Sequence, residues 1–199
     1  MSIARFKIAT SSQEGSGPEA SNRTPSLADF ITITCGFRFS VQTAVIDVLG
    51  QRSDVDATRV GIVGQSLGAL YAPLAASLEP RIKACVANCG PFNFGPVLPK
   101  MPEVSQDLFR IRAHLRTREE ALVFAHKLSL EGAVEQIKCP LLVVFGAGDK
   151  IIPVSEGDRL ARAVTCPVDL VVYEEGNHVC FNIPYKFRPL TADWMVEHL

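Results

Sequence analysis

Arg59-Val60-Gly61-Ile62-Val63-Gly64-Gln65-Ser66-Leu67-Gly68-Ala69-Leu70-Tyr71-Ala72 carries more information than any other part of this chain. An apolar, β-branched run enters a Gly-x-Ser-x-Gly pentapeptide and a helix-forming run leaves it, the strand–turn–helix setting of a nucleophile elbow. The reason for the spacing is steric. A serine at the tip of so tight a turn has a strained backbone, and side chains two residues to either side would collide. Gly64 and Gly68 remove those side chains. Ser66 Oγ then projects above the sheet, and the Leu67 amide, at the positive end of the helix, is placed to hold a developing oxyanion. The pentapeptide alone arises by accident in roughly 7% of chains of this length, so the reading depends on an acid and a histidine further along the chain.

Downstream, Pro140-Leu141-Leu142-Val143-Val144-Phe145 is a short, wholly apolar run of the kind found in the centre of a parallel sheet. It ends in Gly146-Ala147-Gly148-Asp149, which puts Asp149 just past the strand's C-terminal end. The next apolar run, Val168 to Tyr173, leads to Glu174-Glu175-Gly176-Asn177-His178, so His178 also lies on a loop after a strand. Asp149 lies 83 residues after Ser66, and His178 lies 29 after Asp149, room for strands, helices and one inserted segment. All three side chains follow strand C-termini, the edge where open α/β sheets place ligands. Serine, acid and histidine in this order predict that His178 takes the Ser66 proton while Asp149 fixes the imidazole tautomer. Asp149 as a helix cap near Pro153 and His178 as a surface loop histidine are the alternatives. Asp158, in a helix-like run, and Asp169, inside a strand, are weaker acids for this role.

From about Val41 to Leu199 the chain resembles the α/β-hydrolase superfamily. More narrowly, it resembles the branch that holds 2,6-dihydropseudooxynicotine hydrolase, the fungal polyketide-shortening hydrolases and the fermentation–respiration switch esterases. The residues that carry the resemblance are Asp54 to Gly61 before the elbow, Glu79 to Ala87 after it, Gly90-Pro91-Phe92-Asn93-Phe94, and the tail Gly176-Asn177-His178-Val179-Cys180-Phe181-Asn182-Ile183-Pro184-Tyr185-Lys186. The resemblance implies the C-terminal part of an α/β-hydrolase fold: a mostly parallel sheet, flanking helices and a short helical lid insertion. It places Ser66, Asp149 and His178 on the family's triad positions. Members of the branch hydrolyse esters or cleave carbon–carbon bonds beside a ketone. Family members are much longer, with several strands ahead of the elbow, whereas 63 residues precede Gly64 here. The N-terminal half of the family pattern is therefore expected to be missing. The loop giving the second oxyanion amide and the extra acid of the carbon–carbon hydrolases have no recognisable counterpart.

The 199 residues divide by this reading into an atypical, partly disordered segment (1–40) and a catalytic core (41–199), with the insertion at about 91–137. The composition, 47% apolar and 21% charged, suits a globular chain with a sizeable core. A formal net charge of −1 gives no electrostatic basis for binding nucleic acid or an anionic membrane. No apolar stretch approaches the length of a membrane span, and Met1 to Ala9 has no continuous apolar core of a signal peptide. The six cysteines lack metal-ligand spacing and read as reduced thiols of a cytoplasmic protein. No metal or organic cofactor is implied.

Within the insertion, Phe92, Phe94, Met101 and Phe109 either line an apolar substrate pocket or bury the insertion's own contacts. Gln42 to Arg52 reads as the helix before the elbow strand. A shortened N-terminus would leave Val60 to Val63 on an unpaired strand edge. Ile31–Phe39 is predicted to cover that edge, or a second copy of the chain, which would make a homo-oligomer. The functional expectation is a serine hydrolase acting on a small carbonyl substrate, with ester hydrolysis favoured over carbon–carbon cleavage. The competing expectation is a shortened, non-catalytic hydrolase serving as a binding or assembly module.

Overall fold

The computed structural model describes residues 4–9, 30–32 and 39–199, with side chains from residue 43 onward. Six parallel strands form one sheet: β1 (Ala4–Ala9), β2 (Phe30–Thr32), β3 (Val60–Gln65), β4 (Ile82–Asn88), β5 (Leu141–Gly146) and β6 (Val168–Tyr173). Their spatial order is β1-β6-β5-β4-β3-β2. The helices are α1 (Phe39–Gly50), α2 (Gly68–Leu78), α3 (Glu103–Arg112), α4 (Arg118–Ala125), α5 (Val154–Ala163) and α6 (Pro184–His198).

The apolar runs are strands because both faces of the sheet are covered, which favours apolar side chains at most positions. All six residues of β5 are buried. Leu141, Val143 and Phe145 face one core, shared with α2 and α5, while Leu142 and Val144 face a second core with Trp194 and Met195 of α6. Asp169, the acid considered within a strand, is bound to α6: Trp194 Nε1 donates to Asp169 Oδ2 at 2.9 Å.

The predicted exposed edge is paired. Phe30, Ile31 and Thr32 align with Gly61, Ile62 and Val63, so β3 lies inside the sheet without a second copy. Of the stretch predicted to do this, Ile31 and Thr32 are in β2, Phe39 already belongs to α1, and residues 33–38 lie outside the described residues. The sequence reading did not anticipate β1, which lines up along the far side of β6.

Between β4 and β5 the insertion carries α3 and α4. Its neck is closed by an antiparallel bridge between Asn93 and Ser129, with Phe94 N–H donating to Leu128 O and Leu130 N–H to Phe92 O, both at 2.9 Å. Arg118 at the start of α4 clasps Asp107 of α3 with two guanidinium hydrogen bonds, of 2.7 and 3.1 Å.

Candidate active site

The C-terminal ends of β3, β5 and β6 deliver the three predicted side chains to one place. The Ser66 turn begins where β3 ends. Ser66 has φ +53°, the left-handed region that non-glycine residues rarely occupy. Gly64 is obligatory there: a Cβ on it would lie 2.0 Å from the Gly68 carbonyl oxygen. The turn is held by Ser66 N–H donating to Asn88 O at the end of β4, 2.9 Å, and by Ala69 N–H donating to Ser66 O, 2.9 Å. Leu67 precedes the first residue of α2, and its amide donates to no backbone carbonyl among the described residues. That N–H sits at the positive end of a helix of 11 residues.

Asp149 follows β5 on a turn fastened to the histidine loop. Ala147 N–H donates to Tyr173 O and Gly148 N–H to Gly176 O, each at 2.8 Å. The two loops touch so closely that a Cβ on Gly146 would lie 2.4 Å from the Gly176 carbonyl. The Asp149 side chain is fully buried. Its Oδ1 accepts from the Ile151 and Ile152 amides at 2.8 and 3.0 Å, and its Oδ2 lies 2.8 Å from His178 Nδ1. Asp149 thus holds the turn ahead of α5 and faces the histidine at the same time; it does not cap α5, whose N-cap is Pro153 with no side-chain hydrogen bond. Burial pushes its carboxyl up, but the His178 ring N–H and the Ile152 and Ile151 amides outweigh this and hold it below the usual carboxylate range.

His178 Nε2 lies 2.9 Å from Ser66 Oγ. An ionised carboxylate only accepts, so the proton of the neutral ring resides on Nδ1, leaving Nε2 to accept from the serine hydroxyl. The next two residues, Val179 and Cys180, have φ +51° and +56°. A left-handed β-branched residue is a true outlier, and such strain concentrates at functional sites.

The four pocket candidates are less alike. Phe92 is buried, with the Arg159 guanidinium 4.2 Å above its ring and its N–H donating to Glu156 at 2.8 Å. Phe94 and Phe109 meet edge to face at 5.0 Å, and Phe109 stacks on Phe124 at 6.2 Å. Met101 is partly exposed and packs against the main hydrophobic core. The sequence reading passed over Asn88 and Glu156. Asn88 is a polar residue ending an otherwise apolar strand run, at the sheet edge that carries the other site residues, and that signal was available.

Five cysteines, Cys85, Cys89, Cys139, Cys166 and Cys180, are buried and form no disulfide; Cys35 lies outside the described residues. Among the described residues no cluster of three or more His, Cys, Asp or Glu could hold a metal ion, and no helix is long and apolar enough to cross a membrane.

A parallel sheet with flanking helices, a tight strand–turn–helix at Ser66 after β3, an acid after β5 and a histidine after β6 is an α/β-hydrolase fold. Residues 38–199 match the profile of the prolyl oligopeptidase family, and the chain belongs to that family. It is 30% identical over 159 residues to 2,6-dihydropseudooxynicotine hydrolase of Paenarthrobacter nicotinovorans, an alignment covering 79% of this chain and 43% of the relative. A second relative, 20-hydroxy-prefusarin hydrolase of Gibberella moniliformis, is 30% identical over 138 residues, 53% of this chain and 32% of the relative. The crystal structure of 2,6-dihydroxy-pseudo-oxynicotine hydrolase superimposes with a TM-score of 0.74 at 29% identity, covering 81% of this chain and 46% of that one. The chain therefore spans less than half the length of these relatives.

Proposed function

We propose that this chain is a serine hydrolase that cleaves a small carbonyl substrate, an ester in preference to a carbon–carbon bond. The observation that carries the reading is the continuous row from Ser66 Oγ through His178 to Asp149, with hydrogen bonds of 2.9 and 2.8 Å. Ser66 attacks the carbonyl carbon as His178 Nε2 takes its proton. Asp149 holds the ring in the reactive tautomer and stabilises the imidazolium. The Leu67 amide donates to the oxyanion. His178 returns the proton to the departing alcohol, leaving an acyl-enzyme on Ser66 Oγ. A water molecule, deprotonated by the same Nε2, then releases the acid.

The family's loop that supplies a second oxyanion amide has no recognisable counterpart in the sequence, and residues 33–38, after β2, lie outside the described residues. Removing one such donor typically lowers the rate 10²–10³-fold, so a single amide would still leave measurable turnover. Ester chemistry is favoured because the one acid in the row, Asp149, is fully engaged by His178 and two amides. Carbon–carbon cleavage needs a further proton-transfer group. The two named relatives are both hydrolases, which supports the reaction class. The insertion is read as a lid over Ser66. Phe92, Phe94, Met101 and Phe109, carried on that insertion, are proposed to give an apolar acyl group its pocket; the edge-to-face contact of Phe94 with Phe109 is consistent with one apolar cluster there.

The test is release of p-nitrophenolate from p-nitrophenyl acetate and butyrate by the chain and by Ser66→Ala. Turnover that disappears in the variant is the expected result. Equal rates from both proteins would remove the proposal.

A further inference from the structure

The side chain of Asn88 is 1% exposed, and its Oδ1 is buried without a hydrogen-bond partner. An unsatisfied buried amide oxygen is unfavourable and uncommon in a folded protein. Its other end is committed: Nδ2 donates to the Val179 carbonyl at 3.2 Å. That bond fixes which way the amide points, since a carbonyl can only accept. The Asn88 main-chain carbonyl in turn accepts the Ser66 N–H at 2.9 Å.

One residue therefore grips both halves of the site. Its backbone holds Ser66, at φ +53°, and its side chain holds Val179, the immediate neighbour of His178, at φ +51°. Neither conformation is comfortable for a residue with a Cβ, and Val179 is β-branched. The loop is also tied internally, by Cys180 N–H donating to Asn177 O at 2.9 Å and Asn177 N–H to Asn182 Oδ1 at 2.9 Å, and to Asp149 through the His178 ring at 2.8 Å. Beside the Ser66–His178 bond itself, Asn88 ties the backbone of the serine turn to the backbone of the histidine loop.

We propose that Asn88 is a positioning residue: its amide holds Val179 in the left-handed conformation and so sets His178 Nε2 at hydrogen-bond distance from Ser66 Oγ. This rests on the serine-hydrolase reading for its consequence, not for its geometry. The unpartnered Oδ1 is what it costs to place a donor under the Val179 carbonyl at a strand end where no backbone amide reaches.

The test compares the wild-type chain with Asn88→Leu, which keeps the branched shape of the side chain and removes the donor. Two readouts are taken: the Ser66–His178 distance in crystal structures, and the saturation kinetics of Ser66 labelling by a fluorophosphonate. The variant exchanges one orphan acceptor (Oδ1) for another (the Val179 carbonyl), so its thermal midpoint should stay near wild type. The expected result is a Val179 φ that leaves the left-handed region, a Ser66–His178 separation beyond hydrogen-bond range, and a maximal labelling rate lowered by about 10–100-fold. The half-saturating concentration of reagent should be unchanged. An unchanged separation with an unchanged maximal rate would overturn the proposal, and so would a lowered midpoint with site geometry intact, because that marks a purely structural residue. Should Asn88→Leu not fold, Asn88→Ser, whose hydroxyl falls short of Val179, is read in the same two ways. If the wild-type chain itself fails to label, the hydrolase reading fails, and the crystallographic distance still decides the role of Asn88.

Discussion

Replacing Asp149 with asparagine should disable the chain without unfolding it, and the reason lies in which atoms the carboxylate faces. Oδ1 accepts from two backbone amides, those of Ile151 and Ile152, whereas Oδ2 faces only His178 Nδ1. In Asp149→Asn the amide oxygen must stay with the two N–H groups, because an NH₂ there would put donor against donor in a fully buried position. The NH₂ then faces His178 and donates to Nδ1. The ring is forced into the tautomer with its proton on Nε2, the atom that should accept from Ser66. The expected loss is about 10⁴-fold in the rate of Ser66 modification, or about 5.5 kcal/mol of transition-state stabilisation. The assay is the second-order rate of fluorophosphonate labelling at pH 7, with Asp158→Asn on α5 as the control. A rate for Asp149→Asn within a few-fold of wild type, or an equal loss in the control, would show that Asp149 does not set the tautomer.

Further expectations concern the scaffold. Gly64→Ala places a Cβ 2.0 Å from the Gly68 carbonyl oxygen, a backbone atom that cannot step aside. It should cost about 3 kcal/mol or more in urea unfolding, at or above the upper end of overpacking penalties. Glu79 is buried, and the Arg81 side chain beside it lowers its carboxyl to about 2. A group whose pKa is depressed on folding adds stability above its unfolded value, lost as pH falls through the folded one. Taken at face value the shift is worth about 3 kcal/mol, and water around the half-exposed Arg81 reduces this to about 1–2 kcal/mol. Glu79→Gln should therefore destabilise by that amount at pH 7, and the gap from wild type should close between pH 4.5 and about 2 in thermal melts. Burial pushes the Cys139 thiol up to about 12 and the Cys85 thiol well above its ordinary value. Neither should react with a disulfide reagent at pH 8 until denaturant is added, which mass mapping of the modified cysteines would check.

The central strands were legible because burial on both faces leaves a plain mark: Leu141 to Phe145 is apolar at every position and is buried at every position. The tight turn at Ser66 was legible for a different reason, that only glycine tolerates the contact at position 64. Asp149 and His178 could be named because each follows such a strand on a turn. That they face one another is a matter of loop contacts, such as Gly146 against Gly176, that no local pattern encodes. Strand β1 was invisible, since Ala4–Ala9 mixes basic and apolar residues and its partner β6 lies more than 150 residues away. Asn88 was missed because its importance lies in two hydrogen bonds to distant segments, one of them 91 residues along the chain. The aromatic residues of the insertion could be found from sequence as a group. Which of them pair with each other, as Phe94 and Phe109 do, depends on how α3 folds back onto the neck.

Intact-mass analysis after treatment with a fluorophosphonate probes the whole site at once, because phosphonylation requires an elbow serine, a histidine able to take its proton and an oxyanion donor in register. The expected result is one adduct per chain, located on Ser66 by peptide mapping and absent from Ser66→Ala and His178→Ala. A folded chain that stays unlabelled, or one whose adduct persists in Ser66→Ala, would contradict the assignment of Ser66, His178 and Asp149 as a hydrolytic site.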